Sequence, residues 1–419
     1  MAMIGVPRVA AAGFGAAMMA LSFGVEARDD ALWTLAQAEK AAAIETLRQA
    51  VDIESHSRHE AGLRALGDVL ARRLSALGAT VELVEAKTQP SLGAHVVGQI
   101  AGAGKLRVLL MAHMDTIYPV GTLAQRPYRE EAAKAFGPGI ADDKGGITVI
   151  LHALDILKKR GFTDFSRITV LFNTDEEIGS RDSGALIQRL AAESDVTLSF
   201  EPSTAGKEYM VRGAAGTVGV NVAVKGRTAH AGVEPERGRN ALVEAADIVL
   251  RTQDLDEPAK AFRFTWTHVN SGGARNQVPE EATLYADLRY FSQKLMEEKL
   301  DLLRARLAQR KVPDTEAILN ATIGRPAYEA DAPSRAIGDR AVALYREVGG
   351  ELAILERTTG GTDAGYAQKS GRPVIETLGL PGFGYHSPRE EFVDLDRIPA
   401  RLYLAARLIM DLAENGVPK

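Results

Sequence analysis

Three short runs of the chain are almost continuously apolar: residues 107–112, 168–172 and 197–200. Strands read this way when helices cover both faces of a parallel sheet. Residues 59–77 instead have helical spacing, with Leu63, Leu66, Val69, Leu70, Leu74 and Leu77 on one side and Gly78 as the stop. Residues 145–160 read as an amphipathic helix ending at Gly161. Strand and helix in alternation predict an α/β domain with a mainly parallel central sheet. Near residue 214 the pattern changes. Val218, Val220, Val222 and Val224 alternate strictly, as do Ala282, Leu284, Ala286, Leu288 and Tyr290. Each predicts a strand with one buried face. Helices are expected at about 241–251 and 293–311, so this stretch reads as a smaller α+β sandwich with one open face. Helical periodicity returns at 334–347 and 399–413.

Composition changes this picture little. A chain of 419 residues with 46% hydrophobic content can bury more than one core, and two domains are expected. The net charge of −5 and the scattered basic residues argue against a nucleic-acid partner. Without cysteine, any metal site must use His, Asp and Glu. The N-terminus adds a targeting expectation. Arg8 precedes a small, apolar stretch, 9–25, and Val25-Glu26-Ala27 suits signal peptidase. Residues 1–27 therefore read as a signal peptide cleaved after Ala27, which implies a periplasmic or secreted protein without membrane attachment thereafter. No later stretch is long and apolar enough to span a bilayer.

The candidate chemistry sits at the ends of the apolar runs, where ligands bind in open α/β sheets. His113-Met114-Asp115 follows the first run, Asp175-Glu176-Glu177 the second, and Glu201 the third. Asp142 lies in Gly137–Gly146, and His386 in Gly382–Ser387. Zinc takes imidazole nitrogen and carboxylate oxygen, and two ions about 3.5–4 Å apart can share a carboxylate. Asp142 suits that bridge. His113 and His386 could each serve one ion, with Glu177 and Glu201 completing the two sets. Neighbouring side chains diverge where a strand ends in a turn, so Glu176 could face the substrate as general base while Glu177 holds metal. Asp115 could accept the proton of the second His113 ring nitrogen. Any one of these signals alone is commonplace; their order and placement make them specific. No GxSxG, GxGxxG or phosphate-binding GK[ST] loop occurs, so serine hydrolase and nucleotide-binding classes have no support.

Eight segments carry a resemblance: HMDT (113–116), GPGIADDKGG (137–146), LFNTDEEIGS (171–180), SFEPS (199–203), KGRTAHAG (225–232), RGRNALVEA (237–245), GGTDAGYA (360–367) and GLPGFGYHS (379–387). Together the chain resembles the dizinc aminoacylase/carboxypeptidase family, and within it the bacterial glutamate carboxypeptidases that trim glutamate from folates. The resemblance implies two Zn²⁺ per subunit, with Asp142 as bridge, His113 and Glu201 on one ion and Glu177 and His386 on the other. It implies Glu176 as base and Asp115 as support for His113. It implies a catalytic domain of 28–214 and 327–419, interrupted by a dimerisation domain of 215–326. In the family a histidine of the inserted domain reaches the partner subunit's active site and steadies the oxyanion, and His230 matches it. Arg289 and Asn276 are implied to bind the substrate's free carboxylate, with Gly360 and Gly361 shaping the pocket and Arg325 beside the glutamate side chain. One departure stands out. Where the folate-cleaving members carry a Lys and a Ser near that side chain, this chain has Tyr209 and Val211. The expected substrate is a small molecule or short peptide ending in a free carboxylate. An aminoacylase or dipeptidase of the same family is the alternative.

Overall fold

The computed structural model describes residues 28–387 and 389–418, and the expected signal segment lies outside them. Helix α1 (Asp30–Val51) opens the described chain, followed by α2 (Glu60–Leu77), whose end is capped by Gly78 in the left-handed conformation, φ 99°. The strands β1 (Thr80–Glu85), β2 (Ala94–Ala101), β3 (Arg107–His113), β4 (Arg167–Asn173) and β5 (Val196–Ser199) build the central sheet. Helix α3 (Lys144–Lys159) crosses over between β3 and β4.

The chain then leaves for a satellite. Its strands are β6 (Gly216–Lys225), β7 (Arg263–Ser271), β8 (Glu281–Tyr290) and β9 (Glu316–Ile323), in the order β7-β8-β6-β9 and wholly antiparallel. Helices α4 (Ala241–Arg251) and α5 (Gln293–Leu307) close a separate core over one sheet face, where Val218, Val220, Val222 and Val224 meet Ile248 and Leu303. The other face carries Gly219 and Asn221 and is exposed, as the strict alternation requires. Exit and entry run side by side: Gly213 and Ala214 pair with Glu329 and Tyr328. Helix α6 (Ala332–Arg346), strand β10 (Val374–Ile375) and helix α7 (Ile398–Asn415) complete the first domain. Its sheet has the order β1-β2-β4-β3-β5-β10. The four strands from β4 to β10 are parallel, and β1 and β2 are antiparallel additions at one edge. The architecture is thus mixed α/β with an inserted α+β unit.

Two differences from the sequence reading have physical causes. Helix α3 is not half-exposed: every residue from Lys144 to Leu154 is buried or nearly so. Helices α1 and α7 pack over it on one side and β3 on the other. Its polar residues are satisfied inside the layer, where His152 meets Glu39 of α1 at 2.9 Å. Strand β7 was not expected because its register shifts between Trp266 and His268, a bulge that erases period-two alternation.

Among the described residues no helix is long and apolar enough to cross a membrane.

Candidate active site

The site forms beyond the carboxyl ends of the parallel strands. His113 is the last residue of β3, and Glu201 follows β5 by two residues. Glu176 and Glu177 begin a short 3₁₀ turn after β4. Asp142 precedes α3, and Asp143 caps that helix by accepting the Gly146 amide at 3.1 Å. The glycine at 146 is required by close approach: a Cβ there would lie 2.2 Å from the carbonyl of Phe200. His386 sits in a loop with φ 52°, a conformation few non-glycine residues adopt and one that marks functional turns.

These elements converge on Asp142. Its Oδ1 is 2.9 Å from His113 Nε2, and its Oδ2 is 3.4 Å from His386 Nε2. Glu201 approaches the same His113 nitrogen at 3.8 Å, and Glu177 the same His386 nitrogen at 2.9 Å. The result is two triads with Asp142 in both: His113, Asp142 and Glu201, and Asp142, Glu177 and His386. Within each, three donor atoms lie within 4.8 Å of one another. One imidazole and two carboxylates per triad are a donor set suited to Zn²⁺.

The electrostatics agree. Burial raises the carboxyls of Glu176 and Glu201 well above their usual range and, with Asp142 beside it, raises that of Glu177. Hydrogen bonds to Asp142 and Glu177 push His386 up to about 10. Burial opposes charge on His113, but the Asp115 and Asp142 carboxylates outweigh it and raise His113 well above normal. Four carboxyls share this buried space with two imidazoles, a concentration of negative charge that a pair of dications would offset.

Asp115 acts partly otherwise than expected. His113 Nδ1 is 3.0 Å from the Asp115 carbonyl and 3.4 Å from its carboxylate. The extended backbone brings the carbonyl nearer. The carboxylate instead accepts the amides of Glu176 and Glu177, at 3.0 and 3.1 Å, and the Ser57 hydroxyl at 2.6 Å. Asp115 therefore both fixes His113 and positions the turn that separates the two glutamates. Glu176 is not a member of either triad: its Oε1 is 2.7 Å from Arg325 Nη1, and Arg325 Nη2 donates to the Glu176 carbonyl. Gly361 packs on that guanidinium, for a Cβ at 361 would lie 3.0 Å from Nη1.

A cavity of about 450 Å³ opens over this cluster. It is lined by Asp142, Glu176, Glu177, Glu201 and His386, and also by Arg289, Arg325, Gly360 and Gly361. Arg289 lies on β8 and reaches the first domain, donating to the Thr359 carbonyl at 3.1 Å. Glu391 is a further part that the sequence did not reveal. It accepts the amides of Gly139, Ala141 and Asp142 at 2.9, 2.7 and 2.9 Å and so holds the loop that presents Asp142. Burial pushes its carboxyl up to about 7. In sequence Glu390-Glu391 looks like any solvated acidic pair.

Residues 109–411 match the description Peptidase family M20/M25/M40. The chain belongs to this peptidase family. It is 49% identical over 385 residues to Carboxypeptidase G2 of Pseudomonas sp. (strain RS-16), with 92% of each chain covered. Among solved structures it is similar in fold to aminopeptidase PepT of Bacillus cereus, with a TM-score of 0.74 and 19% identity over 89% of this chain and 99% of that one. It is also similar to the YXEP protein of Bacillus subtilis, described as a dinuclear metal-binding peptidase of family M20. There the TM-score is 0.65 and the identity 16%, over 90% of this chain and 99% of that one. Members of the M20 family typically bind two metal ions.

Two expected site residues of this M20 peptidase lie elsewhere in the subunit. His230 and Asn276 share an exposed hollow of the satellite with Thr228 and Gln277. Asn276 is in the turn beyond Ser271 and Glu281, whereas Arg289 is seven residues further along β8 from Ala282. At about 3.4 Å per residue the two are separated by roughly 24 Å. Arg289 and Asn276 therefore do not clasp one carboxylate within a single chain. The Gly232 amide donates to His230 Nδ1 at 3.2 Å, which favours the ring proton on Nε2, and Nε2 lies 3.5 Å from Asn276 Nδ2 in the exposed hollow.

Proposed function

We propose that this M20 peptidase is a two-zinc carboxypeptidase that hydrolyses the amide bond to a C-terminal amino acid. Glutamate on an N-acyl or folate-type carrier is the substrate to which its likeness to Carboxypeptidase G2 points. The observation that carries this reading is Asp142 shared between two triads, on the floor of a cavity that also contains Arg289.

Bound zinc supplies Lewis acidity for the carbonyl and lowers the pKa of a water. The chain's own residues do the rest. Asp142, His113, Glu201, Glu177 and His386 would hold the pair. Glu176 takes the proton of the attacking water and gives it to the leaving amine nitrogen, so that base and acid are one group. Arg325 sets the direction of the Glu176 carboxylate. Arg289, with two parallel N–H donors, fits the α-carboxylate of the residue released, and Gly360 and Gly361 leave room beside it.

Arg289→Ala is expected to lower kcat/KM about 10–100-fold, the worth of a hydrogen-bonded charge, ~1.5–3 kcal/mol, largely through KM. Substrates with an amidated C-terminus should be equally poor for the wild type. The two losses should not add, because both remove one charge pair. Equal hydrolysis of free and amidated substrates would reject the carboxypeptidase reading.

The active enzyme is proposed to be a homodimer in which His230 and Asn276 of one subunit complete the site of the other. Their outward, exposed placement supports this, as does the free edge of β7 with exposed Val269. Leu242 and Val243 on α4 add exposed apolar surface. His230 Nε2–H would then steady the developing oxyanion. The test is complementation: His230→Ala and Glu176→Gln chains, each inactive alone, are mixed and allowed to exchange. About half the dimers are then mixed, each with one intact site, so activity should approach about a quarter of wild type. Exchange without recovery would place His230 outside catalysis across the interface. Export with removal of residues 1–27 completes the proposal; the mass of the mature protein checks it.

A further inference from the structure

The walls of the cavity bear on which amino acid leaves. A residue whose α-carboxylate is held by Arg289, and whose amide lies over the Asp142 cluster, must place its side chain against the remaining lining. That lining includes Pro202, Tyr209, Val211, Ala214 and Tyr385. Tyr209 and Val211 are alternate residues of the short strand Tyr209–Val211, which pairs in parallel with Ala353–Leu355. They therefore share one face, while Met210 between them is buried in the core of the first domain. The strand is fixed: the Tyr209 amide donates to Ser203 Oγ at 2.8 Å.

Among the residues lining the cavity, Arg289 and Arg325 carry the guanidinium groups. Arg289 is committed to the α-carboxylate in the reading above. Arg325 has 13% of its side chain exposed and is engaged twice by Glu176, through carboxylate and carbonyl. A side-chain carboxylate entering here finds a largely aromatic and aliphatic wall with the neutral hydroxyls of Thr358, Thr362 and Thr377, no ammonium or further guanidinium group, and Glu376 as a further acid in the lining. To be paired it must draw Arg325 away from Glu176, leaving a buried carboxylate without its partner, which is costly. A phenyl or branched aliphatic side chain meets no such conflict and gains from leaving water.

We infer that the side-chain subsite formed by Tyr209, Val211, Ala214 and Tyr385 takes a neutral aromatic or apolar C-terminal residue ahead of glutamate, an inference that rests on the carboxypeptidase reading. Glutamate enters at the expense of the Arg325–Glu176 pair.

The test uses the zinc-loaded full chain and one acyl group, benzoyl, on phenylalanine, leucine and glutamate. The kcat/KM for benzoyl-phenylalanine should exceed that for benzoyl-glutamate by at least about 10-fold, the scale on which apolar pockets discriminate. Tyr209→Lys, which adds a cation to the wall, should move the ratio toward glutamate by about 10-fold or more, while Tyr209→Phe should leave phenylalanine favoured. Competitive inhibition by the free amino acids gives a second readout, with phenylalanine inhibiting the wild type at lower concentration than glutamate. A wild type that prefers glutamate in both measurements overturns the inference and leaves the carboxypeptidase reading intact. An unchanged ratio in folded Tyr209→Lys removes Tyr209 from the subsite and overturns the inference as drawn. Release of no amino acid from any of the three compounds defeats the carboxypeptidase reading, and the inference with it.

Discussion

Glu176→Gln is expected to abolish most turnover while leaving the fold and the metal content unchanged. Gln has nearly the same shape, and its amide oxygen can still accept from Arg325 Nη1. The second Arg325 bond goes to the backbone carbonyl and is untouched by the change. Asp115 continues to hold the amides of residues 176 and 177. The five proposed ligands keep their places, so elemental analysis should find the same two equivalents of zinc as in the wild type. What disappears is a group able to take a proton. That loss typically costs about 10²–10⁴-fold, and here one carboxylate is assigned both the water's proton and the amine's. A variant with bound zinc and near wild-type kcat would show that Glu176 is not the base.

The second large effect concerns Asp142→Ala. Because its two carboxylate oxygens serve the two triads separately, the change should weaken both ions together. Metal content after gel filtration is expected to fall from two equivalents toward none, and activity to background. Glu201→Ala and Glu177→Ala touch one triad each and should lower the content by about one equivalent. Retention of one tightly held ion in active Asp142→Ala enzyme would mean that the carboxylate is not shared.

Much of this site can be read in the chain because the chemistry follows recognisable strands. The runs ending at His113, Asn173 and Ser199 are covered on both faces and so are mostly apolar. The groups at or just beyond their ends are therefore conspicuous. Glu391 is invisible by contrast, because its role consists of three backbone amides contributed by a loop some 250 residues earlier. The Arg325–Glu176 pair is hidden for the same reason: Arg325 follows β9 of the satellite, and only tertiary structure brings it to the base. Helix α1 escapes because its buried face mixes Ala36, Ala43, Ala50 and the charged Glu39 with Leu32, Leu47 and Val51, which gives a weak hydrophobic signal. The satellite's edge strands β7 and β9 are largely exposed or half-buried, and periodicity has little to report there.

The contact between Gly361 and the Arg325 guanidinium has a consequence for how substitutions are tolerated. A survey of single replacements, scored by activity, should find position 361 nearly as intolerant as the charged residues around it, although glycine has no functional group to lose. Even alanine would press on the group that aims the base, and every larger residue more so. Position 360, where an added methyl meets only the Thr358 hydroxyl at an ordinary 3.6 Å, should admit alanine without moving any protein group, at the cost only of some room beside the substrate. Two adjacent glycines, alike in sequence, would thus have different mutational fates, set by what stands opposite a single hydrogen.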